Sequence, residues 1–236
     1  GTLTAYSGYT TVSGSGQTIA NNPSSNVKIT SNGSSGDTVG SGTTTINTLI
    51  WSATTQNGYI NIPASSTLRL GAQGAILHND NKYLRIGNGQ SGSAVTAGGA
   101  DNVAGELCVY NLSYYAADAV EFWTTLTDNG SGPVTMTAFG SVKIDNANSY
   151  SGGTYINAGD FYCNGGGNTP FGTGPVYVQS GGRADLGGDN NATVANAFNI
   201  SGRGFLAGGN CGAIKGTYNG VLAGLITLSG DAQIDP

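Results

Sequence analysis

The chain has 236 residues, of which 41 are glycine and only 9% are charged, and its formal net charge is −5. Typical domains contain about 7% glycine and about 25% charged residues. Collagen is excluded because glycine does not recur at every third position, and disorder is disfavoured because 38% of the residues are apolar. The eight Lys and Arg residues form no basic patch, so we expect no nucleic-acid partner. No apolar run reaches about 18 residues, so we expect no membrane span.

Short runs, most of which alternate apolar and polar residues, recur along the chain and predict β-strands. In chain order they occupy residues 26–30, 58–62, 66–70, 83–87, 106–110, 133–136, 141–145, 154–158, 175–179, 197–201 and 225–229. Clusters of Gly, Asn, Ser and Asp separate them and are typical of turns. Good helix formers are scarce, and the best helical candidate covers only residues 114–123.

Strands at this spacing suit either an antiparallel sandwich or a parallel β-solenoid. The turns are longer and less regular than the two-residue turns that hairpins favour. A solenoid needs Gly and Asn at the corners of every coil, which accounts for the glycine content, and Asn side chains can form ladders between coils. The residues alone therefore favour the solenoid, with the sandwich as the alternative.

The most specific phrase lies at residues 148–186, where NSYSGGTYINAGDF is followed by FGTGPVYVQSGGRADL. It resembles the autotransporter-associated β-strand repeat, also called the passenger-associated transport repeat. The matching positions are Asn148, Tyr150, Gly152, Gly153, Thr154, Ile156, Gly159, Phe161, Phe171, Gly172, Gly174, Val176, Val178, Gly181, Gly182 and Leu186. Phe161 and Phe171 stand where the family has Leu, and Asp160 stands where it has a small polar residue.

The resemblance implies a right-handed parallel β-solenoid within a large secreted or surface-displayed bacterial protein. At about 20–25 residues per coil, the chain would make roughly ten coils, and a rise of about 4.8 Å per coil gives a rod of about 50 Å. We expect residues 1–236 to form one solenoid segment, which belongs to a longer repeat array or acts as a stacking subunit.

Within the motif, Gly152 and Gly153 are expected to turn a corner of the coil. In the strand that follows, Thr154, Ile156 and Ala158 are expected to face one side, because side chains alternate along a strand. These residues do no chemistry, so we interpret the phrase as a folding instruction.

The predicted function is that of a non-enzymatic extracellular structural protein, a segment of a bacterial surface adhesin, fibre or matrix. Each coil of a solenoid pairs with the coils above and below it, and the terminal coils are open edges. The expected partners are therefore flanking repeats or identical subunits stacked end to end, with surface polysaccharide as a further partner. No cofactor, metal or catalytic residue is predicted.

Two alternatives come from other functional classes. As a glycan-binding surface module, the chain would stack sugar rings on an aromatic strip with Tyr110, Tyr114, Tyr115 and Trp123 as contacts. As a polysaccharide lyase or hydrolase on a β-helix, it would use the carboxylates of Asp185 and Asp189. The acidic repeat that binds calcium in other solenoids is absent, which weighs against this enzyme hypothesis.

Three further features have structural interpretations. The single histidine, His78, lies in a turn-like HND sequence and is interpreted as a surface residue. GNGQSG at 87–92 matches a dinucleotide-binding pattern, but no helix-forming sequence follows, so it is interpreted as a turn. The three cysteines form no CxxC pair, and Cys163, between aromatic residues, is expected to be buried.

Overall fold

A computed structural model describes residues 7–31, 33, 35–53, 56–79, 82–112, 119–165, 167–187, 192–205, 212–216 and 220–235. Over these residues the chain is all-β and contains no helix, and hence none that could span a bilayer. The helical candidate at 114–123 is wrong for Val120–Phe122, which is a strand, and residues 113–118 lie outside the described residues. The turn interpretation of residues 87–92 is confirmed, since no strand or helix includes them.

The strands stack in parallel ladders, in which one coil of the chain pairs with the next. The first ladder contains, in order, β1 (Tyr9–Ser13), β3 (Asn22–Ser31), β5 (Thr43–Trp51), β8 (Gln73–His78), β11 (Gly105–Asn111), β14 (Val134–Phe139), β16 (Thr154–Cys163), β17 (Val176–Val178), β20 (Phe198–Gly202) and β23 (Ile226–Ala232). These ten members, counted over the described residues, agree with the prediction of roughly ten coils.

The second ladder runs beside the first and also takes one strand from each coil. It contains, in order, β2 (Thr18–Ile19), β4 (Asp37–Val39), β6 (Gly58–Asn61), β9 (Leu84–Ile86), β12 (Val120–Phe122), β15 (Val142–Ile144), the second half of β16, β18 (Gly182–Asp185), β21 (Ile214–Lys215) and β24 (Ile234–Asp235). Since β16 belongs to both ladders, the chain passes from one to the other within a single strand.

Two shorter sets of pairings complete the fold. The third ladder contains the first half of β5, β7 (Thr67–Leu70), β10 (Ala94–Ala97) and β13 (Thr125–Leu126). A separate pair joins β19 (Thr193–Val194) to β22 (Val221–Leu222). The chain therefore visits the first ladder, the second ladder and, in the middle coils, the third ladder before it returns to the first, which is the path of a parallel β-solenoid.

The coils differ in length. In the first ladder Tyr9 pairs with Asn26, 17 residues further on, whereas Ala75 pairs with Cys108, 33 residues further on. The predicted range of 20–25 residues per coil is therefore too narrow at both ends. The longest coils are those in the middle of the chain, which carry the additional strand of the third ladder. The right-handed sense of the coil stays a prediction, favoured by the usual handedness of parallel β connections.

The core is a stack of aliphatic side chains that extends through successive coils. One column in the first ladder consists of Val27, Leu49, Ile76, Val109, Ala138, Ile156, Val178 and Ile200, each paired in register with the next. All eight side chains are buried. Full burial of one Val, Leu or Ile side chain stabilises the fold by about 1.5–3 kcal/mol, so each added coil contributes its own share.

Candidate functional site: outer faces and terminal edge

The repeat motif at 148–186 connects neighbouring coils. The Oδ1 atom of Asn148 accepts a hydrogen bond from the Leu126 amide at 2.8 Å, and its Nδ2 atom donates to the Pro170 carbonyl at 2.8 Å. One buried side chain thus holds the coil before it and the coil after it. Asn196 also links neighbouring coils, since its Nδ2 atom donates to the carbonyls of Gly172 and Gly174 in the preceding coil.

The tyrosine of the motif is a core residue with a satisfied hydroxyl. Thr154 donates its hydroxyl proton to the Phe171 carbonyl at 3.0 Å, so the Tyr150 hydroxyl donates to Thr154 Oγ1 at 2.7 Å. Tyr150 is fully buried, and this burial raises the pKa of its phenol. A buried phenol that stays protonated and bonds to Thr154 holds the fold together, which agrees with the interpretation of the motif as a folding instruction.

The glycines of the motif stand at corners and at close contacts. Gly153 has φ +94° immediately before β16, so the expected corner at Gly152 and Gly153 is confirmed. Gly159 has φ +83°, and a Cβ atom there would lie 2.5 Å from the carbonyl carbon of Gly140. The other glycines of the motif with positive φ are Gly172 and Gly181.

The apolar residues at the matching positions of the motif line the core. Ile156, Phe161, Val176, Val178 and Leu186 are all buried.

The prediction that Ala158 shares the face of Thr154 and Ile156 is wrong. Thr154 and Ile156 are buried, whereas Ala158 is only half-buried and pairs with Phe139. Ile156 pairs with Ala138, but the next residue of that strand, Phe139, pairs with Ala158, so Asn157 is an extra residue in β16. Such an irregularity interrupts the alternation of side chains, and Ala158 therefore does not share the face of Thr154 and Ile156.

The outer face of the second ladder carries a row of charges. Seven side chains of successive coils follow one another in register along this row: Arg85, Glu121, Lys143, Tyr162, Asp185, Lys215 and Asp235. Glu121 lies 2.9 Å from Arg85 and 3.3 Å from Lys143, and Lys215 lies 3.0 Å from Asp185. Charges of opposite sign thus alternate along most of this row and bind one coil to the next.

A buried ion pair between adjacent coils lies beside this row on the same face of the second ladder. Arg183 donates from Nε and Nη2 to the two carboxylate oxygens of Asp160 at 2.9 and 2.7 Å, a bidentate arrangement, and also lies 3.5 Å from Asp185. Burial raises the pKa of Asp160 although the bond from Arg183 opposes this effect. Burial lowers the pKa of Arg183, but the hydrogen bonds and negative charge of Asp160 outweigh this effect, so the pKa of Arg183 is raised and its guanidinium stays charged.

The residues of the predicted lyase or hydrolase site have structural partners where they are described. Asp185 is buried, contacts Lys215 and Arg183, and accepts a hydrogen bond from the Gly187 amide at 2.9 Å. Asp189 lies outside the described residues. Over the described part of the chain, no three His, Cys, Asp or Glu side chains are grouped as metal ligands would be.

The predicted aromatic strip is distributed over two ladders. Tyr110, at the end of β11, is exposed and stacks on Phe139 with ring centroids 4.4 Å apart. Trp123 follows β12 in the second ladder, where the guanidinium of Arg85 lies 3.7 Å from its ring centroid. Tyr114 and Tyr115 lie outside the described residues. Sequence reasoning missed a second stack on the first ladder, in which the Tyr155 and Tyr177 centroids are 4.6 Å apart.

The interpretation of His78 as a surface residue is wrong, because its side chain is fully buried at the end of β8. Its Nδ1 atom shares a hydrogen bond of 2.9 Å with Asn111 Oδ1, and Asn111 Nδ2 donates to the Ser141 carbonyl at 2.8 Å. The histidine thus belongs to a polar link between coils. The expected burial of Cys163 is confirmed.

The C-terminal edge exposes large apolar side chains. Ile200, in β20, is fully buried, whereas Leu228, which pairs with it from β23, is 61% exposed. Leu225 and Ile234 are also exposed. Among the described strands, β23 pairs only with β20 and β24 only with β21, so the last coil has an open hydrogen-bonding edge.

Comparison of the chain with protein-family models, with curated proteins and with solved structures found no match. The resemblance of residues 148–186 to the autotransporter-associated repeat therefore stays a prediction from the sequence.

Proposed function

We propose that this chain is a non-enzymatic structural module of a bacterial extracellular or cell-surface protein, and that its terminal coil stacks on another parallel β-coil. The observation that carries the proposal is the exposure of Leu228. This side chain continues a column that is buried in every preceding coil from Val27 to Ile200. A further coil would bury Leu228 and pair the open edge of β23, as every inner coil does for its neighbour.

The organisation of the outer faces supports a mechanical role. The charges of the second ladder engage one another between coils, and the motif residues of 148–186 hold corners and core. The resemblance of that motif to a repeat of secreted passenger proteins supports the extracellular location. The partner coil comes either from flanking repeats of one array or from an identical subunit, and head-to-tail stacking of identical subunits generates an open filament.

Electron microscopy and sedimentation over a concentration series test the self-stacking form. We expect the chain to form fibres with an axial repeat of about 4.8 Å. Leu228→Lys should prevent fibre formation, because it places a charge at the centre of the stacking surface. Leu112→Lys is the matched control, since Leu112 is also exposed but follows β11 on the side of the rod. Discrete monomeric rods of the unsubstituted chain at every concentration would contradict self-stacking.

A further inference from the structure

A recess on the outer face of the first ladder is not explained by coil stacking. It has a volume of about 360 Å³ and is lined by Glu106, Thr135, Thr137, Tyr155 and Asn157. Ligand pockets usually fall between about 300 and 1,000 Å³. The recess lies on the side of the rod, so it stays accessible whether or not the terminal coil is covered.

The recess arises from an interrupted aromatic stack. Cys108, Thr137, Tyr155 and Tyr177 follow one another in register on four successive coils. The rings of Tyr155 and Tyr177 lie nearly parallel, with 12° between their planes, so Tyr177 covers one face of the Tyr155 ring. The other face points towards the coil of Thr137, whose side chain is too short to continue the stack. One ring face is thus left open at the level of Thr137.

Hydrogen-bonding groups surround this open ring face. Thr137 donates its hydroxyl proton to Glu106 Oε1 at 2.6 Å, which fixes the carboxylate above the recess. The Thr135 hydroxyl and the Asn157 amide line the same space. Glu106 leaves the recess with a negative charge, which repels phosphates and acidic sugars. Its oxygens accept hydrogen bonds from hydroxyl groups.

We propose that the recess binds a neutral hexopyranose unit of a polysaccharide. A pyranose offers one face of C–H groups, whose positive polarisation suits the negative face of the Tyr155 ring. Its edge carries hydroxyl groups, which donate to Glu106 and exchange hydrogen bonds with Thr135 and Asn157. The sugar ring occupies the level of Thr137 and continues the stack that Tyr155 and Tyr177 begin.

Titration calorimetry with the full chain and neutral glucose, mannose and galactose oligosaccharides tests the proposal, with oligogalacturonate and tetramethylammonium as charged probes. Tyr155→Ala removes the floor of the recess and should weaken binding at least tenfold. Thr137→Tyr extends the aromatic stack into the recess, so it should abolish binding while the coil stays folded. Tyr59→Ala removes a half-buried tyrosine from the second ladder and should leave the affinity unchanged.

Protection of Cys108 from alkylation gives a second measurement, because Cys108 lies one coil above Thr137. A bound oligosaccharide should slow its reaction in the unsubstituted chain but not in Thr137→Tyr. The proposal would be overturned if no neutral oligosaccharide of the panel bound at about 10 mM, or if only a charged probe bound. It would also be overturned if Tyr110→Ala abolished binding while Tyr155→Ala did not. Monomeric rods that bind the sugar would refute self-stacking but not this site.

Discussion

The buried pair of Asp160 and Arg183 gives the sharpest test of what holds the coils together. Their side chains are 4% and 8% exposed, and two charge-assisted hydrogen bonds of 2.9 and 2.7 Å join them. In Arg183→Met the carboxylate of Asp160 keeps its burial but loses both bonds. Removing one partner of a buried ion pair costs about 3–5 kcal/mol, because the remaining charge is uncompensated.

The loss is measurable by urea unfolding followed by circular dichroism. With a denaturant slope of about 3 kcal/mol per M, a loss of 3 kcal/mol lowers the midpoint by about 1 M. Asp101→Asn is the matched control: it breaks the ion pair between Arg69 and Asp101, whose acidic side chain is 79% exposed. Exposed pairs contribute about 0–1 kcal/mol, so the midpoint of this control should barely move.

The stability of Arg183→Met should depend on pH, because the pKa of Asp160 is higher in the folded than in the unfolded chain. Burial already raises the pKa of Asp160 in the folded chain, and removal of Arg183 takes away a charge that lowers it. The folded variant therefore binds a proton at a pH where the unfolded chain has lost it. Its free energy of unfolding should rise as the pH falls through the folded-state pKa, and the deficit should be smaller at acidic than at neutral pH.

Two outcomes would refute this reasoning. A loss below about 1 kcal/mol would mean that water reaches the carboxylate, as it does in exposed pairs. An equal deficit at neutral and acidic pH would mean that Asp160 does not take up a proton. The double variant Asp160→Leu/Arg183→Met should recover most of the loss, because it leaves no charge without a partner.

Two further predictions concern the corner glycines and the half-buried thiol of Cys108. Gly159→Ala should lower the free energy of unfolding in urea by about 3 kcal/mol, because φ is +83° and the added Cβ would overlap Gly140. Gly181→Ala is the control: φ is +94° but no atom lies within 4 Å of the added Cβ, so the loss should be only about 1 kcal/mol. Equal losses in the two variants would contradict the overlap at Gly159. Burial and the charge of Glu106 raise the pKa of Cys108 to about 11, so Glu106→Gln should speed its alkylation at mildly alkaline pH. An unchanged rate would show that burial alone protects the thiol.

The strands were predictable because their signal is local. All eleven predicted runs overlap strands of the structure, although the Asn- and Ser-rich residues 22–25 before the first run also belong to a strand, β3. The single strand of β16 shows where local reasoning ends. Alternation placed Thr154 and Ile156 correctly, but the bulge that turns Ala158 outwards depends on its pairing with Phe139 in the preceding coil. His78 shows the same limit, since its HND sequence is typical of a turn but the residue ends a strand.

The contacts between coils could not be predicted, because the coils have unequal lengths. Arg85 and Glu121 are 36 residues apart, whereas Glu121 and Lys143 are 22 apart, so no fixed period connects the charges of the second ladder. The recess was missed for the same reason, since Glu106 and Thr137 meet only once the register is known. One signal was available: Tyr155 lies in the run 154–158 and Tyr177 lies in the run 175–179. Aromatic side chains on neighbouring strands commonly pair with each other.

The ladders also bear on how the chain reaches its native state. Across the described pairings, no paired strand residues are more than 36 positions apart, the distance from Leu84 to Val120. Closing such short loops costs little entropy, and each completed coil offers the next a ready template. The first coils can therefore become ordered before the last ones are available, and order then spreads along the rod in steps of one coil. Partly folded chains should accordingly be short native rods with one growing end.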